Sequence, residues 1–501
     1  MKKIVLIVAA MIAAAGQADG LQSGGVWRDT GGVHINAHVG GPNSEWGVFQ
    51  WGVEVDGFVH KETKSKARAY LWIPPNTKRV KAVVIGNDNM LEEPLFSNPD
   101  FRRTLASDDV AIVFVTPGLQ GFNEKFDEGD VPALDALLAK LAAASGHPEL
   151  AKEARIVPLG HSAWADWPYL CTAAMPGRIR CAVSLKGSWP HFRPHLDDAF
   201  WKKTEGVPML LVGGEYEWFS ERMDKERGFL NSHPNVKLYP VADWGSGHFD
   251  MTEALPLAIA EFITKGSVPK IPRSGGKFCV LGFKGRDGKI VEQDPKNHLQ
   301  VTVPFQPQGE GFRASACFDD KIPPGRPERW TGKKAGEKNG RPEFPREAIE
   351  VKIVQGPAVK TGLDTFDIRF SRHGFDGYRA REVVLAAVYP GDAHWKRSVQ
   401  QAILRFPKNT HGAENVIEWN PPKKVAAFPL RLDAKASSGL PVRYYVREGP
   451  AVVGDDDVLH ICDWPAGAKE CDITVCAYQW GVDGGKVKTA KPVYATIRAV
   501  R

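Results

Sequence analysis

Cysteine is scarce in this chain, seven in 501 residues, and no two stand as C-x-x-C. That spacing is the usual way thiolates share zinc, so a structural zinc site is not expected. No glycine-rich phosphate loop and no metal-ligand cluster stand out, and no cofactor is implied. Beyond residue 15 no apolar run is long enough to cross a bilayer, so no integral membrane segment is expected after that point. Helical periodicity nearly vanishes after residue 276. Nucleic-acid binding has only one basic loop, KIPPGRPERWTGKKAGEKNGRP (321–342), in its favour, and that loop reads as a solvated surface.

What is present is ordinary for a globular protein: 43% hydrophobic and 25% charged residues. The length implies two to four domains. Fifty glycines and 37 prolines point to many turns and a large β content. The charge is uneven. From residue 271 onward 37 Lys and Arg stand against 27 Asp and Glu, net +10, whereas the first 270 residues are net −4. The opening MKKIVLIVAAMIAAAGQADG places Lys2 and Lys3 before an apolar run, Ile4 to Ala15, with small residues at Gly16 and Ala18. This is the pattern of a signal peptide spanning 1–18, and it predicts a secreted or periplasmic bacterial protein. In an oxidising compartment Cys462 and Cys471, which flank DWPAGAKE, are a candidate disulfide; Cys171 with Cys181 is a weaker one.

Two alternating segments, 48–57 and 67–75, predict an antiparallel lead-in. The rhythm then changes. Short apolar strands are expected at 82–86, 110–118, 155–160, 181–187, 207–214 and 235–241. Helices are expected at 101–107, 130–146, 162–175, 220–230 and 251–266. Strands apolar on both faces, alternating with helices, predict a mostly parallel sheet covered on both sides. Residues 277–415 and 416–501 read as two β-rich, sandwich-like modules.

The stretch RIVPLGHSAWADWP (155–168) supplies a strand, Gly160 two residues before Ser162, and then a helix. With the strand pattern around it, the segment 60–268 resembles the α/β-hydrolase superfamily. There a nucleophile sits on a tight strand–helix turn and is followed in chain order by an acid and a histidine. The resemblance implies that fold for 19–270 and Ser162, Glu217 and His248 as catalytic residues, with Glu215 the competing acid. Trp164 stands where the usual G-x-S-x-G motif has its second glycine. It fits if Ala163 and Ala165 take the crowded faces and Trp164 points outward as an aromatic wall. The resemblance also implies an oxyanion hole from Ala163 and the loop after the 82–86 strand, at Asn87 or Asp88 by backbone.

Trp164, Trp189 and Trp218 are candidate substrate contacts, since aromatic faces stack on sugar rings. Residues 436–453 resemble bacterial immunoglobulin-like repeats. Taken together, the chain resembles secreted bacterial carbohydrate esterases that remove acetyl or feruloyl groups. This implies a serine esterase whose partner is an ester-substituted small molecule or polysaccharide. An exported serine peptidase and a non-catalytic glycan-binding protein are the rival readings. Residues 27–41, WRDTGGVHINAHVGG, resemble the opening of some five-bladed-propeller glycosidases, with His34 and His38 expected to be structural.

Overall fold

A strand that is apolar on both faces needs cover on both, and residues 51–265 provide it. The computed structural model describes residues 43–501 apart from 194, 274, 293–299, 305–306, 324–329, 344–345, 376, 378 and 482–484. The signal segment 1–18 and the segment 27–41, with His34 and His38, lie outside the described residues.

Eight strands form one sheet: β1 (Trp51–Val59), β2 (Lys66–Trp72), β3 (Ala82–Asn87), β4 (Val110–Thr116), β5 (Arg155–His161), β6 (Ala182–Leu185), β7 (Met209–Gly214) and β8 (Leu238–Asp243). Their order is β1-β2-β4-β3-β5-β6-β7-β8. β2 runs antiparallel to both its neighbours. All later pairings are parallel. This is the α/β-hydrolase arrangement. Side chains alternate across it with period two. Val83, Ile85, Val113 and Val115 enter one core, while Val84, Ile112 and Phe114 enter the core on the opposite face. The chain leaves β3 toward β4 and returns across it to β5. This reversal opens a crevice at the carboxyl ends of those strands, where ligands bind in open α/β sheets.

From 277 onward the chain is strand-rich, in several small sheets. One holds strands 300–302, 350–355, 382–389 and 398–405; another holds 424–425, 443–448, 470–478 and 493–500. Beyond 415 the chain has a core of its own, with Ile417, Leu432, Leu459, Ile473, Val475 and Ile497, but a second cluster crosses that point. Tyr445, Cys476, Tyr478 and Trp480 pack in one cluster with Phe370, Phe375 and Phe406.

The expected disulfides do not form. Cys462 packs against Val48 and Val452. Cys471 lies on a sheet strand, in register with Ala499. Cys171 and Cys181 are buried in the two cores on opposite faces of the large sheet, so the sheet itself separates them.

Candidate active site

The turn after β5 is tight, and its neighbours show why. Ser162 has φ +54°, a left-handed conformation that costs a residue with a Cβ about 1–3 kcal/mol. A Cβ on Gly160 would lie 2.0 Å from the Trp164 carbonyl oxygen, so only glycine fits there. The second close approach is not made at position 164. It is met by Gly187 beyond β6, where a Cβ would stand 2.5 Å from the Ala165 Cβ and 2.5 Å from the Ser162 carbonyl oxygen. Ala165 therefore takes a crowded face, as expected, but Ala163 is exposed. Trp164 does not point outward: it is 5% exposed and packs in the core beside Trp167. Gly118 makes the room, since a Cβ there would meet the indole at 2.8 Å. The missing second glycine of the motif is thus supplied from two other places in the chain.

Ser162 Oγ lies 2.7 Å from His248 Nε2. His248 Nδ1 lies 2.5 Å from Glu217 Oε1. Glu217 is 2% exposed. Burial alone would raise its carboxyl, but the charge of His248 and its hydrogen bond, with Lys186 and Arg222 behind them, hold it down at about 2. It is therefore an anion at any working pH. Glu215, the competing acid, faces elsewhere. Its Oε1 pairs with Lys396 at 2.7 Å and its Oε2 accepts the Gly245 N–H at 2.8 Å.

The loop after β3 faces the serine. Asp88 donates its N–H to the Val115 carbonyl at 2.7 Å. The Met90 N–H goes to Glu92 at 3.1 Å. Asn87 is the last residue of β3, fully buried, and its Oδ1 accepts the Leu119 N–H. Between these, the Asn89 N–H has no acceptor among the described residues. Of the expected backbone donors, Asp88 spends its N–H on Val115 and Asn87 sits at the last position of β3, so the Asn89 N–H, one residue further on, joins them as a candidate donor. Ala163, in the first turn of a 3-10 helix (Ser162–Trp164), has an N–H with no partner inside that helix. Asn89, Ala163 and Trp164 line a cavity of about 160 Å³, with Gln120, Asn123 and Glu124 opposite.

The three loops are joined behind the reacting atoms. His161 is fully buried; burial and the nearby His248 charge push its imidazole well down, so it is neutral. Its Nε2–H donates to the His248 carbonyl at 2.9 Å, leaving Nδ1 to accept from Asn89 Nδ2 at 3.3 Å. Lys186, also wholly buried, donates to Asp243 Oδ2 (3.0 Å), Ser246 Oγ (2.8 Å), the Gly247 carbonyl (2.8 Å) and the Asp250 carbonyl. These four bonds fix the loop that carries His248.

Of the three tryptophans, Trp164 reaches the cavity. Trp189 is fully buried between Phe219 and His191 and has no face to offer a substrate. Trp218 follows Glu217 in a left-handed conformation, is partly exposed and packs near Arg222. The sequence reading missed Asn89, His161 and Lys186. His161 adjoins the serine, and Lys186 is a lone charge closing an apolar strand, CAVSLKG; each is a signal that was there to be used.

No family model matches the chain, and no curated protein matches it. Solved structures do. The LpqC poly(3-hydroxybutyrate) depolymerase from Bordetella parapertussis is 14% identical over 44% of this chain and 92% of its own, with a TM-score of 0.32. Est1E from Butyrivibrio proteoclasticus is 16% identical over 44% and 97%, at 0.29. A dienelactone hydrolase from Anabaena variabilis is 16% identical over 43% and 95%, at 0.29. At such identities and scores these likenesses bear on no substrate.

Proposed function

We propose that this protein is a serine hydrolase of carboxylic esters, working through Ser162, His248 and Glu217 by an acyl-enzyme. The observation that carries this is the unbroken chain from Ser162 Oγ through His248 to Glu217, at 2.7 and 2.5 Å, on a strained turn at the sheet's switch point. His248 Nε2 takes the serine proton as Oγ attacks the ester carbonyl. Glu217 holds the proton on Nδ1 and stabilises the imidazolium. The N–H groups of Ala163 and Asn89 receive the oxyanion, each donor contributing about 3 kcal/mol. The imidazolium then protonates the leaving alcohol, and water repeats the sequence in reverse order of roles.

The substrate we favour is an acylated polysaccharide or a small ester of similar polarity. The cavity beside Ala163 supports this, because polar side chains surround a single indole wall at Trp164. That lining suits a hydroxylated ring better than a long alkyl chain. The strand-rich region, with its immunoglobulin-like segment, and an exported location belong to the same proposal. Amino-terminal sequencing of the mature protein, beginning after Ala18, tests export.

The direct test is p-nitrophenol release from short acyl esters by the full chain beside Ser162→Ala. Turnover in the first and none in the second is the expected result. Equal rates in both would remove Ser162 from the reaction. No turnover in either, with retained polysaccharide binding, would favour the glycan-binding reading. Release of acetate or ferulate from substituted glycans then distinguishes the acyl groups.

A further inference from the structure

The loops that carry the site are held a second time, from outside the hydrolase domain. Each is met by a cation of residues 372–397. Arg397 is 7% exposed and donates to Asp250 Oδ2 at 3.0 Å and to the Gly245 carbonyl. Gln401, fully buried, donates to Asp250 Oδ1 at 3.0 Å. The same Oδ1 accepts the Gly247 N–H at 2.6 Å, next to His248. On the acid loop, Lys396 pairs with Glu215, two residues before Glu217, and the Tyr216 hydroxyl donates to the Arg397 carbonyl. On the third loop, Arg379 donates to the Asn89 carbonyl at 2.8 Å, and His373 lies 2.9 Å from Glu93 and 3.4 Å from Asp88.

We propose that the strand-rich region is a positioning clamp for the active site, with Arg379, Lys396 and Arg397 as positioning residues for the oxyanion, acid and histidine loops. The inference rests on the reading of Ser162, His248 and Glu217 as a triad. It does not require the region to bind any ligand.

The contacts are not spread evenly over the boundary between the two regions. Arg397 and Arg379 reach backbone carbonyls within three residues of the site groups, and Asp250 is two residues past His248. The histidine loop needs this support. Gly245 (φ +84°) and Gly247 make its backbone permissive. Arg397 fills the space over Gly245, where a Cβ would come 3.0 Å from the Arg397 Cβ. A catalytic base displaced by about 1 Å loses on the order of 10²-fold in rate. Lys186 fixes the loop from beneath through the Gly247 and Asp250 carbonyls, while Arg397 and Gln401 fix the Asp250 carboxylate from above. Both are needed to hold His248 Nε2 at hydrogen-bond reach of Ser162. Other bonds between the regions, such as Arg68 Nε to Glu448 at 2.9 Å, lie away from these loops and serve as the contrast.

The test uses the full chain: wild type, Arg397→Met, Arg397→Lys, Gln401→Met and, as a control on the same strand, Arg405→Ala. Arg405 is largely exposed and, among the described residues, pairs with Glu382. Three quantities are read below the melting transition of each variant: kcat and KM on p-nitrophenyl acetate, and the second-order rate at which a fluorophosphonate labels Ser162. Arg397→Met is expected to lower kcat and the labelling rate together by about 10- to 100-fold with KM nearly unchanged. Arg397→Lys recovers a large part of both, and Arg405→Ala changes neither. Gln401→Met, which removes one bond and keeps the volume, lowers both by a smaller factor and decides the matter if Arg397→Met does not fold. Variants that melt earlier yet label and turn over at wild-type rates would overturn the clamp and leave an ordinary interdomain contact. A folded wild type that neither labels nor turns over would overturn the triad reading, and the clamp with it.

Discussion

The hydrolase domain and the strand-rich region bury charge in different ways. Within the α/β domain, Lys186 meets three oxygens of the loop after β8, and Asp243 at the end of β8 is its counter-ion. The strand-rich region instead sends cations across the boundary to the site loops, while Arg68 and Arg102 cross the other way, to Glu448 and Asp463, away from those loops. Arg397 finds Asp250, Lys396 finds Glu215, and Arg372 and His373 find Glu93. The first arrangement shapes a loop that folding has already placed. The second makes the shape of that loop depend on a neighbour 147 residues further along the chain. A buried ion pair returns little net stability over an apolar pair, but it fixes geometry and is costly to break. The charge imbalance along the chain therefore has a structural reading: part of the positive excess after residue 271 answers acids in the first 270.

The sharpest break in this comparison is between two acids two residues apart. Glu217→Gln leaves the packing but removes the anion that sets the His248 tautomer, and a loss on the order of 10⁴-fold in kcat is expected. Glu215→Gln loses only an ion pair to the clamp, and a loss below about 10²-fold is expected. Equal losses would mean that the acid was misassigned. The pH behaviour follows from the same geometry. Glu217 is held at about 2, below the unfolded carboxylate value near 4.3. Its stabilising contribution is present above that unfolded value and is lost as pH falls through about 2. The acid limb of kcat/KM should therefore contain no carboxylate ionisation between about pH 3 and 6.

Lys186→Met comes next in size. It strands Asp243 and two loop carbonyls without their donor in the hydrolase interior. A loss of about 3–5 kcal/mol is expected in denaturant unfolding. Its effect on stability should exceed that of any single clamp cation, because Lys186 is wholly buried and holds four oxygens at once. A smaller loss than that of Arg397→Met would invert the comparison.

The fold of residues 51–265 was legible because parallel strands covered on both faces leave a sequence mark: Val83, Val84 and Ile85 are apolar in succession, as are Val110 to Val115. Chain order picked out Ser162, Glu217 and His248, and these side chains lie within hydrogen-bond reach of one another. What was not legible is contact between distant segments. Gly118 and Gly187 stand far from the serine in sequence, so nothing near residue 164 indicated that they make its turn possible. The loop after β3 was legible as a candidate, but that the Asp88 N–H is spent on the Val115 carbonyl was not, since that bond depends on a strand pairing. Arg397 carries no local signal at all: an arginine before an apolar strand reads as solvated until Asp250 is seen beside it.

His373 sharpens the comparison by pH. Burial lowers its imidazole, but Glu93 and Asp88 outweigh that and raise it to about 10. Arg372 also faces Glu93, and Thr116 Oγ1 and the Phe114 ring complete its surroundings. A histidine raised in this way contributes stability that is fully present below about pH 6.5 and is lost as pH rises through about 10. The wild type should lose Tm across that window, and the gap in Tm between it and His373→Gln should close as it does so. A gap that stays constant from pH 6.5 to 10 would mean that His373 contributes by shape and not by charge.

The smallest expected effect concerns reduction. A disulfide across the loop between Cys462 and Cys471 would contribute about 2–3 kcal/mol and, in a chain of this size, a few degrees in Tm. Here Cys471 lies on a sheet strand while Cys462 follows the strand Val458–Ile461 of another sheet and packs against Val48 and Val452, and the last module is secured to the first through a shared aromatic core instead. Reductant should therefore move Tm by less than about 1 °C. The thiols are also slow to react. Burial, with Asp472 and Glu470 nearby, pushes Cys471 up to about 11, and burial pushes Cys181 to about 12. Only about one Cys471 in a thousand is then a thiolate at pH 8, and the thiolate is the species that attacks an oxidant. Passage through an oxidising compartment would thus leave these cysteines reduced while the chain stays folded. Free-thiol counting on protein recovered from that compartment, native and then denatured, checks this: few thiols accessible before denaturation and all seven after it is the expected result. A fall of two in the denatured count, together with a reductant-sensitive Tm, would mean that the strand-rich region is stapled covalently, and so less dependent on its contact with the hydrolase domain than the bonds at Arg397 and Lys396 imply.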